Sequence, residues 1–282
     1  MIDLHSHTNE SDGSLSPQQL VAEAQRIGLE ALSITDHDTL SGYDSALPDA
    51  KAAGVELICG IELSTKLDGR SVHLLGYFPN ARGGPSASAN GLAGFREWVK
   101  DMQASRRERN QRLAVRLREL GLDISVEEAE ARGKGMTGRP HFAQVMVAKG
   151  YVKNLRQAFD EYLDESAKGY VHRREPQLAE GVERIGKAGG VASLAHPARV
   201  HGDVAAILPG LCDAGLNAIE AYHSDHTPAE TELYLDLARK YGLLVTGGSD
   251  FHGDVKPGVS LGTGCDGNLR IPPEALAWLR TD

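Results

Sequence analysis

Aromatic residues make up only 5% of the 282-residue chain, and its three cysteines, Cys59, Cys212 and Cys265, share no close spacing. Three thiols cannot all pair and no Cys-x-x-Cys occurs. The usage fits a reducing cytoplasm better than a disulfide framework, and no cysteine zinc motif is present. No stretch approaches the ~20 consecutive apolar residues of a bilayer span, so no membrane partner is expected. The opening Met1-Ile2-Asp3-Leu4-His5 lacks the basic stretch and apolar core of a signal peptide. Positive charge is also short. With 30 Lys+Arg against 39 Asp+Glu the formal charge is −9, which disfavours stable binding to duplex DNA, and the few aromatics disfavour a base-stacking RNA module. Gly (32) and Pro (12) reach neither a collagen-like nor a disordered composition. What the chain does have is enough length for a large core and eleven histidines.

The organisation follows from hydrophobic period and turn residues. In residues 1–7, Ile2 and Leu4 alternate with Asp3, His5 and His7, the period of a strand. Ser16-Pro17 reads as an N-cap with Pro at the first helical position, opening a helix over 17–27 that stops before Gly28. Further strands are expected at 31–36, 55–64 and 71–77, with a short helix near 45–53. This alternation predicts parallel pairing with right-handed crossovers. Residues 80–91 are loop by composition, and 92–170 are helical, with Ser125 and Glu128 spaced as a capping box. Alternation resumes with helices at 178–188, 203–214 and 228–241 and strands at 190–195, 217–221 and 243–247. The simplest reading is one seven-stranded α/β barrel, built from 1–86 and 171–282 and interrupted by a helical insertion at 87–170.

The chemistry-bearing residues fall on those strands. His5 and His7 end the first, with Asp12 in the following loop. His37 ends the second, Glu62 lies near the end of the third and His73 lies on the fourth. His196 follows the fifth strand in Leu-Ala-His-Pro, and Asp250 and His252 follow the seventh. The C-terminal strand ends of an α/β barrel share one mouth, so residues spread over the whole sequence can converge there. A lone strand histidine is usually a satisfied core group, but nine such residues at strand ends argue for a metal centre. Imidazole with carboxylate suits Zn, Mn or Fe rather than Ca or Mg. Two or three divalent ions would outweigh the three carboxylates, attract a phosphate dianion and supply hydroxide near neutral pH.

The motifs His5-Ser-His7, Asp12-Gly13, Thr35-Asp36-His37, Gly60-Ile-Glu62, Val72-His73, Ala195-His196-Pro197 and Ser249-Asp250-Phe-His252 resemble those of the PHP (polymerase and histidinol phosphatase) family. The resemblance implies a distorted (β/α)7 barrel with a trinuclear metal centre that hydrolyses phosphoesters through a metal-bridging hydroxide. It places His5, His7, Glu62 and Asp250 around one ion, with Glu62 bridging to a second held by His73 and His196. The third would be held by Asp12, His37 and His252.

Substrate selection is expected from the insertion. Thr137-Gly138-Arg139-Pro140-His141 opens a helix whose free N–H groups and flanking cations suit an anion. Together with Lys168-Gly169-Tyr170-Val171, this segment resembles a PHP subgroup containing a 3′,5′-nucleoside bisphosphate phosphatase and RNase AM. That likeness implies Arg139, His141, Lys168 and Arg199 as substrate residues, although Ala198 stands where the subgroup carries glycine. His223, after the sixth strand, is expected to bind phosphate or protonate the leaving alkoxide, completing a catalytic group with Asp250 and His196. Arg106 and Arg109 interrupt an apolar helical stripe, which places that turn towards the cleft or an RNA end. The leading expectation is removal of the 3′-phosphate from nucleoside 3′,5′-bisphosphates. Alternatives are 5′→3′ exonuclease action on short RNA, a histidinol-phosphate-type phosphatase, and a non-catalytic metal-binding interaction domain.

Overall fold

The computed structural model describes residues 1–79 and 87–279. In chain order it contains β1 (Ile2–Asp3), α1 (Pro17–Arg26), β2 (Ala31–Ile34), α2 (Ser41–Ala53), β3 (Glu56–Leu67) and β4 (Arg70–Tyr77). Helices α3 (Ala87–Glu119), α4 (Val126–Glu130), α5 (Arg139–Ala148) and α6 (Leu155–Ala158) follow, the last continuing into a π-helical turn, Phe159–Leu163. Then come α7 (Leu178–Lys187), β5 (Val191–Leu194), α8 (Val204–Asp213), β6 (Ala218–His223), α9 (Pro228–Tyr241) and β7 (Leu244–Gly248). The helix starts obey local chemistry: Ser16, Ser125 and Thr227 each accept a backbone N–H within a capping box.

Strands β1 to β7 form one sheet in sequence order. It closes where Leu4 N–H donates to the Gly247 carbonyl (3.1 Å), and Asp250 N–H to the His5 carbonyl (2.8 Å). The strands are buried on both faces, as a sheet jacketed by helices requires. The architecture is a distorted α/β barrel.

Two sequence expectations change. β4 is antiparallel to both β3 and β5, rather than parallel. Asp68-Gly69 joins β3 to β4 with both residues at positive φ (49° and 80°), the two-residue type I′ turn that makes a hairpin. His73 therefore sits near the start of its strand, yet the reversal brings it to the mouth the other strands reach with their C-terminal ends. In the expected loop 80–91, residues 80–86 lie outside the described residues and 87–91 form the first turn of α3.

α3 is shared between two cores. Phe95, Val99 and Met102 pack into the barrel's outer core with Tyr43, Phe78 and Ile185. Leu113, Ala114 and Leu117 instead pack with Phe142, Met146 and Leu163 in a separate cluster that belongs to the inserted helices.

Candidate metal centre

The backbone around the barrel mouth is fixed by buried acids. Asp36 accepts the Thr8 N–H (2.7 Å), the Thr8 hydroxyl (2.6 Å) and the Ser11 hydroxyl (2.6 Å), which shapes the loop carrying Asp12. Asp3 accepts from Ser249 N–H (2.9 Å), the Ser249 hydroxyl and Gly262 N–H (2.8 Å), tying the first strand to the segment after the last. Burial pushes both acids' pKa values up. A Cβ on Gly248 would lie 2.2 Å from His5 Cβ, so only glycine lets β7 run against His5. Three non-glycine residues at the mouth, Asp38 (φ 53°), His196 (φ 28°) and Asp250 (φ 56°), hold the left-handed region. That conformation costs about 1–3 kcal/mol each and persists where surrounding bonds over-determine it. Here Glu220 accepts the His196 N–H (2.6 Å), and the His5 carbonyl accepts the Asp250 N–H.

All nine histidines and acids of the expected set meet at this mouth, with Glu62 at the centre. Its Oε2 lies 3.3 Å from His5 Nε2, 3.1 Å from His7 Nε2 and 3.3 Å from His37 Nδ1. Its Oε1 lies 2.8 Å from His73 Nδ1 and 2.9 Å from His196 Nε2. One carboxylate thus faces two imidazole groups, one with each oxygen. Asp250 Oδ1 adds to the first, 3.5 Å from His5 Nε2 and 3.4 Å from His7 Nε2. A third group forms around Asp12, whose carboxylate is 3.4 Å from His252 Nε2 and 3.7 Å from His37 Nε2.

These donors fit a metal centre. The buried nitrogens His5 Nε2, His7 Nε2 and His37 Nδ1 have no hydrogen-bond partner although all point at one carboxylate oxygen. An unsatisfied buried nitrogen is costly unless something else takes its lone pair. Sets of four, His5–His7–Glu62–Asp250 and His7–Asp12–His37–His252, place their ligand atoms within 4.8 Å of one another, as does His37–Glu62–His73. Protonation agrees. Burial drops His37 and His196 to about 3, leaving neutral imidazoles. Against the upward push of burial, the imidazoles around them hold Glu62 and Asp12 well below the usual carboxylate range. Asp250 is likewise held low, with Lys256 the leading opponent of burial. Neutral imidazole and ionised carboxylate are the ligating forms. Against the downward push of burial, the Asp250 and Glu62 carboxylates facing it raise His7 to about 9. That is the protonation a dense cluster of anions draws in, and a cation would replace it.

The other expected site residues divide. Arg139 and Arg199 line the cleft with Asp12, His37 and His73. Arg199 donates to Asp250 Oδ2 (3.0 Å) and pairs with Asp225. Arg106 and Arg109 do face the cleft. His141 does not: as the third residue of α5 it folds back, and its Nδ1 accepts the Gly138 N–H (3.0 Å). Lys168 is exposed, its ammonium over the Tyr162 ring (4.0 Å), away from the cleft lining. His223 is fully buried behind Asp250, with Nε2 3.6 Å from Asp250 Oδ2 and Nδ1 accepting the Asp225 N–H (3.0 Å).

Several contributors have no motif in the sequence. Glu220, inward on β6, accepts from His5 Nδ1 (2.9 Å) as well as from His196 N–H. Lys256 donates to Asp250 Oδ2 (2.6 Å) at the cleft edge. Asp38, next to His37, pairs with Arg106 of α3 and with Arg173 (3.1 Å). The available signals are an acid inside an otherwise apolar strand, Ala-Ile-Glu-Ala, and an acid directly after the strand-end His37.

Comparison with known proteins agrees with this geometry. The PHP domain matches residues 3–172. A 5′-3′ exoribonuclease of Haemophilus influenzae is 32% identical over 254 residues, covering 89% of each chain. A phosphoribosyl 1,2-cyclic phosphate 1,2-diphosphodiesterase of Eggerthella lenta is 33% identical over 259 residues, covering 89% of this chain and 94% of that one. A 3′,5′-nucleoside bisphosphate phosphatase of Chromobacterium violaceum is 31% identical over 266 residues, covering 93% and 90%. Among solved structures, a candidate metal-dependent phosphoesterase of Bifidobacterium adolescentis superposes with a TM-score of 0.81 at 30% identity, covering 94% and 91%. The chain belongs to the PHP domain family. It is a metal-dependent phosphoesterase, a hydrolase of phosphate esters.

Proposed function

We propose that the protein is a phosphatase that removes the 3′-phosphate of nucleoside 3′,5′-bisphosphates. The observation that carries this reading is the two-sided Glu62 cluster opening into a cleft of about 380 Å³. Pro140, Leu155, Phe159 and Val255 wall that cleft, and Arg199 and Lys256 edge it. The apolar wall suits a nucleoside and the cations suit phosphate oxygens. The bisphosphate phosphatase of Chromobacterium violaceum, similar over nearly the whole chain, supports the same substrate.

In this reading His5, His7, Glu62 and Asp250 would hold one ion, Glu62, His73 and His196 a second, and Asp12, His37 and His252 a third. When bound, divalent ions supply Lewis-acid stabilisation of phosphoryl oxygens and lower the pKa of water towards ~7. The chain's own residues bind and orient. Arg199 bridges Asp250 and Asp225, so its guanidinium is pre-positioned beside the cluster and can turn one of its two remaining N–H groups to phosphate. Arg139 presents a cation from the insertion, and residues 87–170 act as a cap over the mouth. His223, held by the Asp225 N–H at Nδ1, turns Nε2 towards Asp250 Oδ2 and serves as a positioning residue for that carboxylate. His141 plays the same part for the N-terminus of α5.

The test is phosphate release from adenosine 3′,5′-bisphosphate by metal-loaded protein. Turnover should fall by about 100-fold or more in Glu62→Gln, which loses the shared ligand. No turnover of the bisphosphate by the wild-type chain would refute the assignment. A second reading, exonuclease action from the 5′ end of short RNA, is favoured by the equally similar Haemophilus influenzae relative. Nucleoside monophosphates appearing one by one from 5′-phosphorylated RNA, at a rate exceeding bisphosphate hydrolysis, would select it.

A further inference from the structure

Of the nine residues at the mouth, Asp12 stands farthest from its strand, in the loop between β1 and α1, so the sheet does not fix it. Inside that loop the Thr8 carbonyl accepts the Ser11 N–H (3.1 Å) and the Gly13 N–H (2.9 Å), a tight turn around Asp12. The inserted helices grip the same turn through main chain. The Asn9 carbonyl accepts the N–H groups of Lys134 (2.9 Å) and Gly135 (3.2 Å), and the Glu10 carbonyl accepts that of Met136 (2.6 Å). Residues 133–136 lie between α4 and α5, so these bonds tie the insertion directly to the Asp12 loop.

So close an approach depends on glycine. A Cβ on Gly135 would lie 2.2 Å from the Glu10 carbonyl oxygen. One on Gly133 would lie 2.6 Å from His141 Nε2 and 3.4 Å from the Ser11 carbonyl oxygen. His141, 2% exposed, makes the second tie. Its Nδ1 accepts the Gly138 N–H, which leaves the ring proton on Nε2, turned to the Ser11 carbonyl. That carbonyl belongs to the peptide bond leading into Asp12. Ser11 is thus held from both sides, its hydroxyl by Asp36 of the barrel (2.6 Å) and its carbonyl by the insertion.

We propose that segment 133–136 and His141 form a clasp that positions Asp12, so that seating of the inserted helices and filling of the Asp12–His37–His252 site are coupled. The clasp rests on the three-ion arrangement above and not on the identity of the substrate. His141 and Gly135 act through Asp12, as positioning residues. The coupling is reciprocal: an ion that needs the seated clasp also stabilises it. The other two groups, His5–His7–Glu62–Asp250 and Glu62–His73–His196, are carried on strands of one sheet or within a few residues of their ends, so they fill without it.

Manganese(II) binding to the metal-free full chain tests this, read as ions retained per chain at graded free manganese. Wild type should fill three sites. Gly135→Ala drives the Glu10 carbonyl off the clasp without removing a polar side chain, and His141→Phe keeps ring volume but loses the donor facing Ser11. Each should weaken the third ion by about 10–100-fold, the usual effect of an outer partner, and leave the first two unchanged. In wild type, the amides of Lys134, Gly135 and Met136 should exchange more slowly once the third ion is added, with no such change from the first two. Three ions held equally by wild type and variants would overturn the clasp alone, as would variants that lose all three ions together or amides indifferent to the third ion. Two ions at saturation in wild type would overturn the three-ion arrangement along with it.

Discussion

Glu220 lies outside the cleft lining, yet it holds two of the histidines at the centre, one by its ring and one by its backbone. It fixes the His5 ring through Nδ1, and it pins the left-handed backbone of His196 through its N–H. The His5 ring then presents Nε2 to Glu62. Outer partners of this kind typically set metal affinity by 10–100-fold. Glu220→Gln is therefore expected to retain about one-tenth of the affinity or less, read as metal content after dialysis against a weak chelator. Unchanged content would show that His5 orients without it. Most of the nine central residues were legible because they sit in short motifs at the end of an alternating or apolar run, with Asp12 in the loop just after one and His73 early in its strand. Glu220 was not, because one acid inside Ala-Ile-Glu-Ala has no spacing partner, and its role depends on a residue 215 positions away. For His141 and Lys168 the motif gives no sign of the local contacts that occupy the side chains, the Gly138 N–H and the Tyr162 ring.

Among the elements, α3 matters most, because it joins the barrel to the inserted helices through one buried acid. Asp38 pairs with Arg106 on α3 and with Arg173 beyond the insertion. Asp38→Asn leaves two buried guanidiniums without their shared charge and should cost about 3–5 kcal/mol in thermal or denaturant unfolding. A loss under 1 kcal/mol would contradict this role. The same cluster sets an acid response. Despite burial, Arg106 and Arg173 hold Asp38, and Arg173 and Lys66 hold Glu175, below their ordinary pKa values. Both are more acidic folded than unfolded. Their contribution is complete above the unfolded carboxylate range of roughly 4 and drains away as pH falls through the folded values. Amide exchange in α3 should therefore be slow at neutral pH and lose protection below pH ~4. In the insertion's own core, Leu117 is fully buried, and Leu117→Ala should cost about 2–5 kcal/mol. The helices and six of the strand assignments followed from caps and period. The direction of β4 did not, although Asp68-Gly69 carries the hairpin signal, because strand–helix alternation on either side pointed to parallel pairing.

At the scale of the molecule, an acidic chain acts on an acidic class of substrate because its charges are sorted in space. The chain carries a net −9, yet four arginines gather on the cleft beside a cluster of residues able to hold cations. No helix among the described residues is long and apolar enough to cross a membrane. Histidines and acids from both ends of the sequence meet at Glu62, so a metal bound there would also fasten the barrel. Chelation should abolish phosphoester hydrolysis and lower the melting temperature, by linkage, with both restored on adding metal back. The most direct measurement is an anomalous-difference map from crystals of the metal-loaded protein. It should show at least two peaks sharing Glu62, roughly 3.5–4 Å apart, one beside His5 and His7 and one beside His73 and His196. A map with no peak at Glu62 would contradict the metal centre outright.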